Sequence, residues 1–307
     1  MRAGFAEDRF RAGAGPPATP AAGYRVLLRA CRPRQWSKNL LVLAAPAAAG
    51  AIDRPEVAAQ AIGAFVVLCL LSSATYLVND VRDREQDRLH PRKRLRPIAA
   101  GELAPATALR SAAVLALLGV GLATAIDPKL GVLGCGYLAL TAGYSLWLRN
   151  VLVLDILAIA AGFVLRALAG GIATDIYLSR WFVIVTASCA IFLVAAKRYA
   201  ELRSRTPAST KRATLARYSA RTLTLTLVGA ASIAGVAYVA WAFTRPSHLL
   251  FYGLSIAPFV LWLARYARLV RAGIGEAPEE LILRDTTLLM LSAVWAALFL
   301  GGVYVGH

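Results

Sequence analysis

The sequence predicts an all-α, polytopic membrane protein of about nine transmembrane helices. Three observations predict it. Of the 307 residues, 58% are hydrophobic, where an average soluble domain has about 45–50%, and the mean hydropathy is +0.59. The excess sits in runs of roughly 20 residues, the length that crosses a bilayer core. Basic residues are dense in every second connection between those runs and sparse in the others. A soluble globular class has no room in such a chain. Four cysteines, Cys31, Cys69, Cys135 and Cys189, lack metal-ligand spacing, and three of them fall inside the expected spans. They read as small apolar fillers, not as a disulfide frame.

Residues 1–31 carry charge, Gly, Pro and Ala without an apolar run before a cleavage site. They read as a flexible cytoplasmic tail and not as a signal peptide. Residues 32–307 form the transmembrane domain. Its spans are expected at 38–53, 58–80, 107–126, 130–148, 151–173, 181–202, 221–243, 249–270 and 285–305. The first is short and contains Pro46, which predicts a kink or a tilt.

The net charge is +17 and the isoelectric point near 10.4. The odd connections hold a single basic residue each: Arg54, Lys129, Arg180 or Arg245. The N-terminal segment and the even connections hold nearly all the others, which places them in the cytoplasm of a bacterial inner membrane. An odd number of spans then leaves His307 outside. The charge is therefore mostly a topology signal whose surplus attracts anionic lipid, and no nucleic-acid partner is expected.

The segment richest in chemistry is Asn79-Asp80-Val81-Arg82-Asp83-Arg84-Glu85-Gln86-Asp87. Asp80, Asp83 and Asp87 share a face if the second span continues as a helix, and Tyr76 extends that face toward the membrane. Three carboxylates on one stripe repel unless a cation lies between them. Hard oxygen ligands suit Mg²⁺, although a solvated helix end with Asp–Arg pairs would look the same. The loop His90-Pro91-Arg92-Lys93-Arg94-Leu95-Arg96 follows. Its cations obey topology and, beside carboxylates, can also hold phosphate oxygens, with Arg94 and Arg96 as candidates.

Three further places carry charge. Lys197-Arg198-Tyr199-Ala200-Glu201 closes the sixth span, where Lys197 and Glu201 share a face as a site or as a plain ion pair. In the fifth span Asp155 lies near the inner start and Arg166 about three turns deeper on one stripe, and an intramembrane charge needs a cavity or a partner. Gly162, Gly170 and Gly171 suit close helix packing. Arg34, Lys38 and Asn39 open the first span behind Trp36, an interfacial anchor. Under the predicted topology Lys38, Asp80, Asp155 and Lys197 all lie at one depth, so one site is possible.

These segments resemble the UbiA-type intramembrane transferases along nearly all of residues 32–307. The Asn79-Asp80-x-x-Asp83-x-x-x-Asp87 run is similar to that family's first Asp-rich motif. The resemblance implies a nine-helix bundle with a cytoplasmic-facing cavity, and Asn79, Asp80, Asp83 and Asp87 as holders of Mg²⁺, or Mn²⁺ in its place, on a diphosphate. Four segments carry a likeness to the branch of the family that transfers phosphoribosyl groups to polyprenyl phosphates in cell-wall synthesis. They are Arg32-Pro33-x-Gln35-Trp36-x-Lys38-Asn39; Asn79 through His90-Pro91 to Arg96-Pro97-Ile98-Ala99-Ala100-Gly101; Gly162-Phe163-x-Leu165-Arg166 through Gly171; and Lys197-Arg198-Tyr199-x-Glu201-Leu202.

That likeness implies phosphoribosyl diphosphate as donor, a decaprenyl-type phosphate as acceptor, and a product used for arabinan precursors. The family's second Asp-rich motif is replaced here by Lys197-x-x-x-Glu201. Cations there suit substrates bearing extra phosphates, which a second carboxylate set would repel. Asp80, Asp83, Asp87 and Lys197 are thus the expected catalytic residues. Lys38, Asn39, Tyr76, Arg94, Arg96, Asp155, Arg166, Arg198, Tyr199 and Glu201 are expected at the substrates. An ordinary prenyl transfer from a polyprenyl diphosphate is the alternative.

Overall fold

Eight of the nine expected spans form helices within a few residues of their predicted bounds. The computed structural model describes residues 20–203, 217–244, 249–274 and 278–305, and no strand occurs among them. The helices are α1 (Pro20–Ala30), α2 (Ala44–Ala48), α3 (Pro55–Arg82), α4 (Arg84–Arg88), α5 (Pro105–Ile126), α6 (Pro128–Leu146), α7 (Leu154–Ala173), α8 (Arg180–Arg203), α9 (Ala220–Phe243), α10 (Leu249–Arg271), α11 (Pro278–Arg284) and α12 (Thr286–Tyr304). Seven of them, α3, α5, α7, α8, α9, α10 and α12, are long and apolar enough to cross a membrane. The nine expected spans thus become these seven, the 19-residue α6, and a broken first segment. The chain is a multi-pass membrane protein.

Local chemistry sets the boundaries. Proline at the first turn of α3, α5 and α6 fixes φ where no intrahelical N–H is needed. Side chains of Asp127, Ser219 and Asp285 accept from backbone N–H groups at the starts of α6, α9 and α12. Consecutive long helices pack as neighbours, the arrangement that short connections favour. One apolar core joins α7 to α10 and α12 around Phe192, Leu223, Tyr266 and Leu288. A second joins the broken segment to α3, α6 and α7 around Val42, Leu68, Leu71 and Leu130.

Two expectations change. Within the expected tail, the described residues 20–30 are the helix α1, and Ala30 and Cys31 pack with Leu77, Ile98 and Leu103. The expected first span is not one kinked helix. It is a 3₁₀ helix over Pro33–Leu43 that passes into the five-residue α2. Runs of 3₁₀ longer than three or four residues are uncommon, and side contacts hold this one. Trp36 Nε1 donates to Ser73 Oγ at 3.1 Å, and Asn39 Nδ2 reaches Ser72 Oγ at 3.3 Å. Pro46 also removes an N–H that a continuous α-helix would use. Gly170 is what lets this segment lie against α7, because a Cβ there would overlap the Val42 carbonyl.

Candidate functional site

The acidic run of α3 divides. The helix stops at Asp83, whose φ of −88° and ψ of 7° leave the α-helical region, and α4 restarts at Arg84. The three aspartates therefore do not share a stripe. Asp80 and Asp87 are buried, and both meet the Arg96 guanidinium, whose Nη1 lies 3.2 Å from Asp80 Oδ1 and also donates to Asp87 Oδ2. Lys93 Nζ stands 4.0 Å from Asp87. Arg32 Nη2 donates to the same Asp80 Oδ1, and its guanidinium lies 5.1 Å from the centre of the Tyr76 ring. Asp83 faces Arg149 instead, with both carboxylate oxygens 3.2 Å from Nη1. Asn79 lines a separate crevice of about 370 Å³ between α3, α5 and α6, beside Arg82 and Thr141.

Arg32 and the loop are held by their own local chemistry. Arg32 has φ 55°, ψ 62°, a left-handed conformation that costs a side-chain-bearing residue about 1–2 kcal/mol. Burial pushes its pKa down, and the Asp80 charge pulls it back up. His90 shapes the loop through Nδ1, which accepts from the Arg92 and Lys93 amides at 3.2 and 3.4 Å. Its pKa is lowered, first by desolvation and then by the Lys93 charge, and the neutral ring is the form that can accept. Arg94 is exposed on this loop and joins neither carboxylate.

A second cluster ties α6, α7 and α8 together. Arg198 holds Asp155 through two contacts, Nε to Oδ2 at 2.6 Å and Nη2 to Oδ1 at 3.0 Å. Its Nη1 donates to Glu201 Oε2 at 2.6 Å, and the Tyr144 hydroxyl donates to Asp155 Oδ1 at 3.0 Å. The Asp155 and Arg198 side chains are 2% and 3% exposed, so this is a buried pair in a bidentate geometry. Half-buried Lys197 and buried Tyr199 flank it, and the Tyr199 hydroxyl accepts from Arg203 at 3.3 Å. Glu201 thus serves Arg198, its neighbour three residues back. Arg82 reaches Ser145, one residue from Tyr144, so the end of α3 and this cluster lie at one end of the bundle.

Arg166 stands deeper and has neutral partners. Its Nε donates to Asn39 Oδ1 at 2.8 Å, Nη1 to the Gly162 carbonyl at 2.7 Å, and Nη2 to the Tyr137 hydroxyl at 2.8 Å. The Tyr137 and Phe163 rings lie 5.1 and 5.6 Å from its guanidinium carbon. These contacts bolt the broken segment to α6 and α7, and Asn39 is spent on that bolt.

Between the broken segment and helices α7 to α10 and α12 lies an apolar cavity of about 830 Å³. Lys38 and Ser37 belong to its lining, and Tyr238, Trp241, Phe259, Trp295 and Phe299 form an aromatic wall. The wall is fixed through the Tyr238 hydroxyl, which hydrogen-bonds Ser255 Oγ at 2.7 Å and accepts from Trp295 Nε1 at 2.9 Å. Its volume and apolar lining are those of a site for an apolar ligand.

The donor set can be tested against a divalent ion. Mg²⁺ takes one or two carboxylates and fills its other positions with phosphate and water oxygens. Asp80 and Asp87, two buried carboxylates drawn to one guanidinium, fit that set. The wider group with Asn79 and Asp83 does not gather: among the described residues no three His, Cys, Asp or Glu side chains come together. Sequence reasoning missed Arg32, Arg149, Tyr144 and Tyr137 as members of these clusters. Each comes from a distant segment, and only the Arg32-Pro33 step left a local trace.

Residues 40–292 match the model of the UbiA prenyltransferase family. The chain belongs to the UbiA prenyltransferase family. Among curated proteins it is 39% identical to the decaprenyl-phosphate phosphoribosyltransferase of Mycolicibacterium smegmatis, over 95% of each chain. It is 40% identical to the one of Corynebacterium glutamicum, over 94% of this chain and 89% of that one. A solved UbiA homolog from Archaeoglobus fulgidus bound to DMAPP and Mg²⁺ superposes with a TM-score of 0.70 at 17% identity, covering 91% of this chain and 99% of that one. At that identity the likeness concerns the UbiA fold.

Proposed function

We propose that this protein transfers the 5-phosphoribosyl group of phosphoribosyl diphosphate to a decaprenyl-type polyprenyl phosphate and releases pyrophosphate. The observation that carries this reading is the match, over nearly the whole chain, to relatives named for that acceptor and that group. The site chemistry supports it. Asp80 and Asp87 would hold Mg²⁺, or Mn²⁺, which when bound neutralises charge on the departing pyrophosphate. Asn79 and Asp83 adjoin that pair in sequence only, and Asp83 acts through Arg149. Arg96 and Lys93, already against these carboxylates, turn their donors to the donor's phosphate oxygens. At the position of the family's second Asp-rich motif stand Lys197 and Glu201, and Arg198 neutralises both Glu201 and the neighbouring Asp155. Lys197 beside it adds positive charge for a phosphorylated substrate.

The acceptor's tail lies in the apolar cavity, with Lys38 holding its phosphate. An oxygen of that phosphate attacks ribosyl C1 as the bond from C1 to the pyrophosphate oxygen breaks. A phosphate monoester is already anionic near neutral pH, so no general base is required. Positioning and charge stabilisation supply the rate. The basic connections support a cytoplasmic position for this end of the bundle, on the side of a water-soluble donor, and the product would feed arabinan precursors of the cell wall. Membranes containing the protein should move label from phosphoribosyl diphosphate into lipid. Transfer of a prenyl group from a polyprenyl diphosphate, with no labelled lipid from phosphoribosyl diphosphate, would overturn the assignment.

A further inference from the structure

One continuous stretch, Arg32 to Ala48, touches both places where substrates are expected. At its head Arg32 holds Asp80. Further along, Ser37, Lys38, Leu40 and Leu41 line the apolar cavity. Two separate departures from ordinary backbone lie in this stretch: a left-handed arginine and, directly after it, eleven residues of 3₁₀ helix. Such outliers persist only where surrounding contacts hold them, and they gather at sites that switch. Here the contact at the strained residue is an ion pair to a buried carboxylate that the proposed metal would also use.

We propose that Arg32 couples the donor site to the acceptor cavity. The inference rests on the functional reading above. When a diphosphate and a divalent ion take Asp80, the carboxylate no longer needs the Arg32 guanidinium. Released, Arg32 leaves its left-handed conformation, and its charge turns from the carboxylate to phosphate. In a 3₁₀ helix, residues three apart stand in line, so Gln35 and Lys38 share a face that begins at Arg32. Six residues at the 3₁₀ rise span roughly 12 Å, which brings a change at Arg32 within reach of the cavity lining at Lys38. The freed cation and Lys38 then serve the two phosphates together, so each ligand strengthens binding of the other. Thermodynamic reciprocity requires the two effects to be equal.

The test is a pair of binding titrations on the full chain in lipid nanodiscs. The probes are inorganic pyrophosphate with Mg²⁺ for the donor site and decaprenyl phosphate for the cavity. In the wild-type protein each probe should tighten the other by at least about fivefold, by the same factor in both directions. Arg32→Gly allows the left-handed backbone without strain and lacks the guanidinium. Arg32→Gln removes the charge and keeps a polar side chain on the strained backbone. Both variants should still bind each probe, with the coupling factor reduced to one. A wild-type factor of one, or an unchanged factor in both variants, overturns the coupling and leaves the functional reading intact. Failure of wild-type protein to bind pyrophosphate with Mg²⁺ at all overturns the functional reading and this inference with it.

Discussion

Asp155→Asn tests the buried cluster between α6, α7 and α8. The substitution keeps the shape and removes the charge that faces Arg198 across contacts of 2.6 and 3.0 Å. Breaking a buried ion pair by removing one partner costs about 3–5 kcal/mol, because the other charge stays behind uncompensated. Here Arg198 keeps Glu201, whose side chain is 27% exposed, and the asparagine oxygen still accepts one hydrogen bond. The loss should therefore fall near the low end, about 3 kcal/mol. Adding Arg198→Met removes the stranded charge, so the double variant should be more stable than Asp155→Asn alone. The assay is a double-mutant cycle of denaturant unfolding in detergent, together with the KM for each substrate. Unchanged stability of Asp155→Asn, or a strictly additive double variant, would refute the claim that this pair locks the three helices. A KM rise for one substrate without any loss of stability would make Asp155 a direct ligand rather than a positioning residue.

Four more substitutions separate the remaining parts. Asp87→Asn should abolish turnover with the protein still folded, whereas Asp83→Asn should reduce kcat roughly tenfold, the scale of about 1.4 kcal/mol, because it acts through Arg149. Equal effects in steady-state kinetics would contradict the division of the acidic run. The half-exposed Asp83–Arg149 pair should contribute at most about 1 kcal/mol of stability. Gly170→Ala forces a methyl group into the Val42 carbonyl, an overpacking that costs about 1–3 kcal/mol. Because it pushes the broken segment off α7, it should also loosen Arg166 from Asn39; a detergent melting curve identical to wild type would contradict this. Lys38→Ala should raise the KM for the lipid phosphate severalfold and leave the donor KM alone, and the reverse pattern would move Lys38 to the donor.

Hydropathy made eight spans legible, because length and apolarity are one-dimensional properties that a bilayer imposes directly. Proline at 55, 105 and 128 opens three of these helices in the structure, two or three residues before the starts expected from hydropathy at 58, 107 and 130. The first span was not legible as a 3₁₀ helix, since its geometry depends on Ser72, Ser73, Arg166 and Gly170, partners 30 or more residues away. In the acidic run, spacing located the carboxylates but not the break at Asp83 that turns Asp83 toward Arg149. Helical periodicity placed Asp155 and Arg166 on one stripe of α7, and both are buried. It could not say that one meets an arginine and the other only neutral oxygens. Pairings such as Arg32–Asp80 and Tyr144–Asp155 join residues with no periodic relation, so only the folded chain brings them into view.

The most direct measurement is the mass of the lipid formed when purified protein is incubated with phosphoribosyl diphosphate, decaprenyl phosphate and Mg²⁺. The account predicts a lipid heavier by one phosphoribosyl group, one pyrophosphate released per product, and neither on chelation of the divalent ion. Unaltered decaprenyl phosphate under these conditions, or pyrophosphate release that does not need the lipid acceptor, would contradict it.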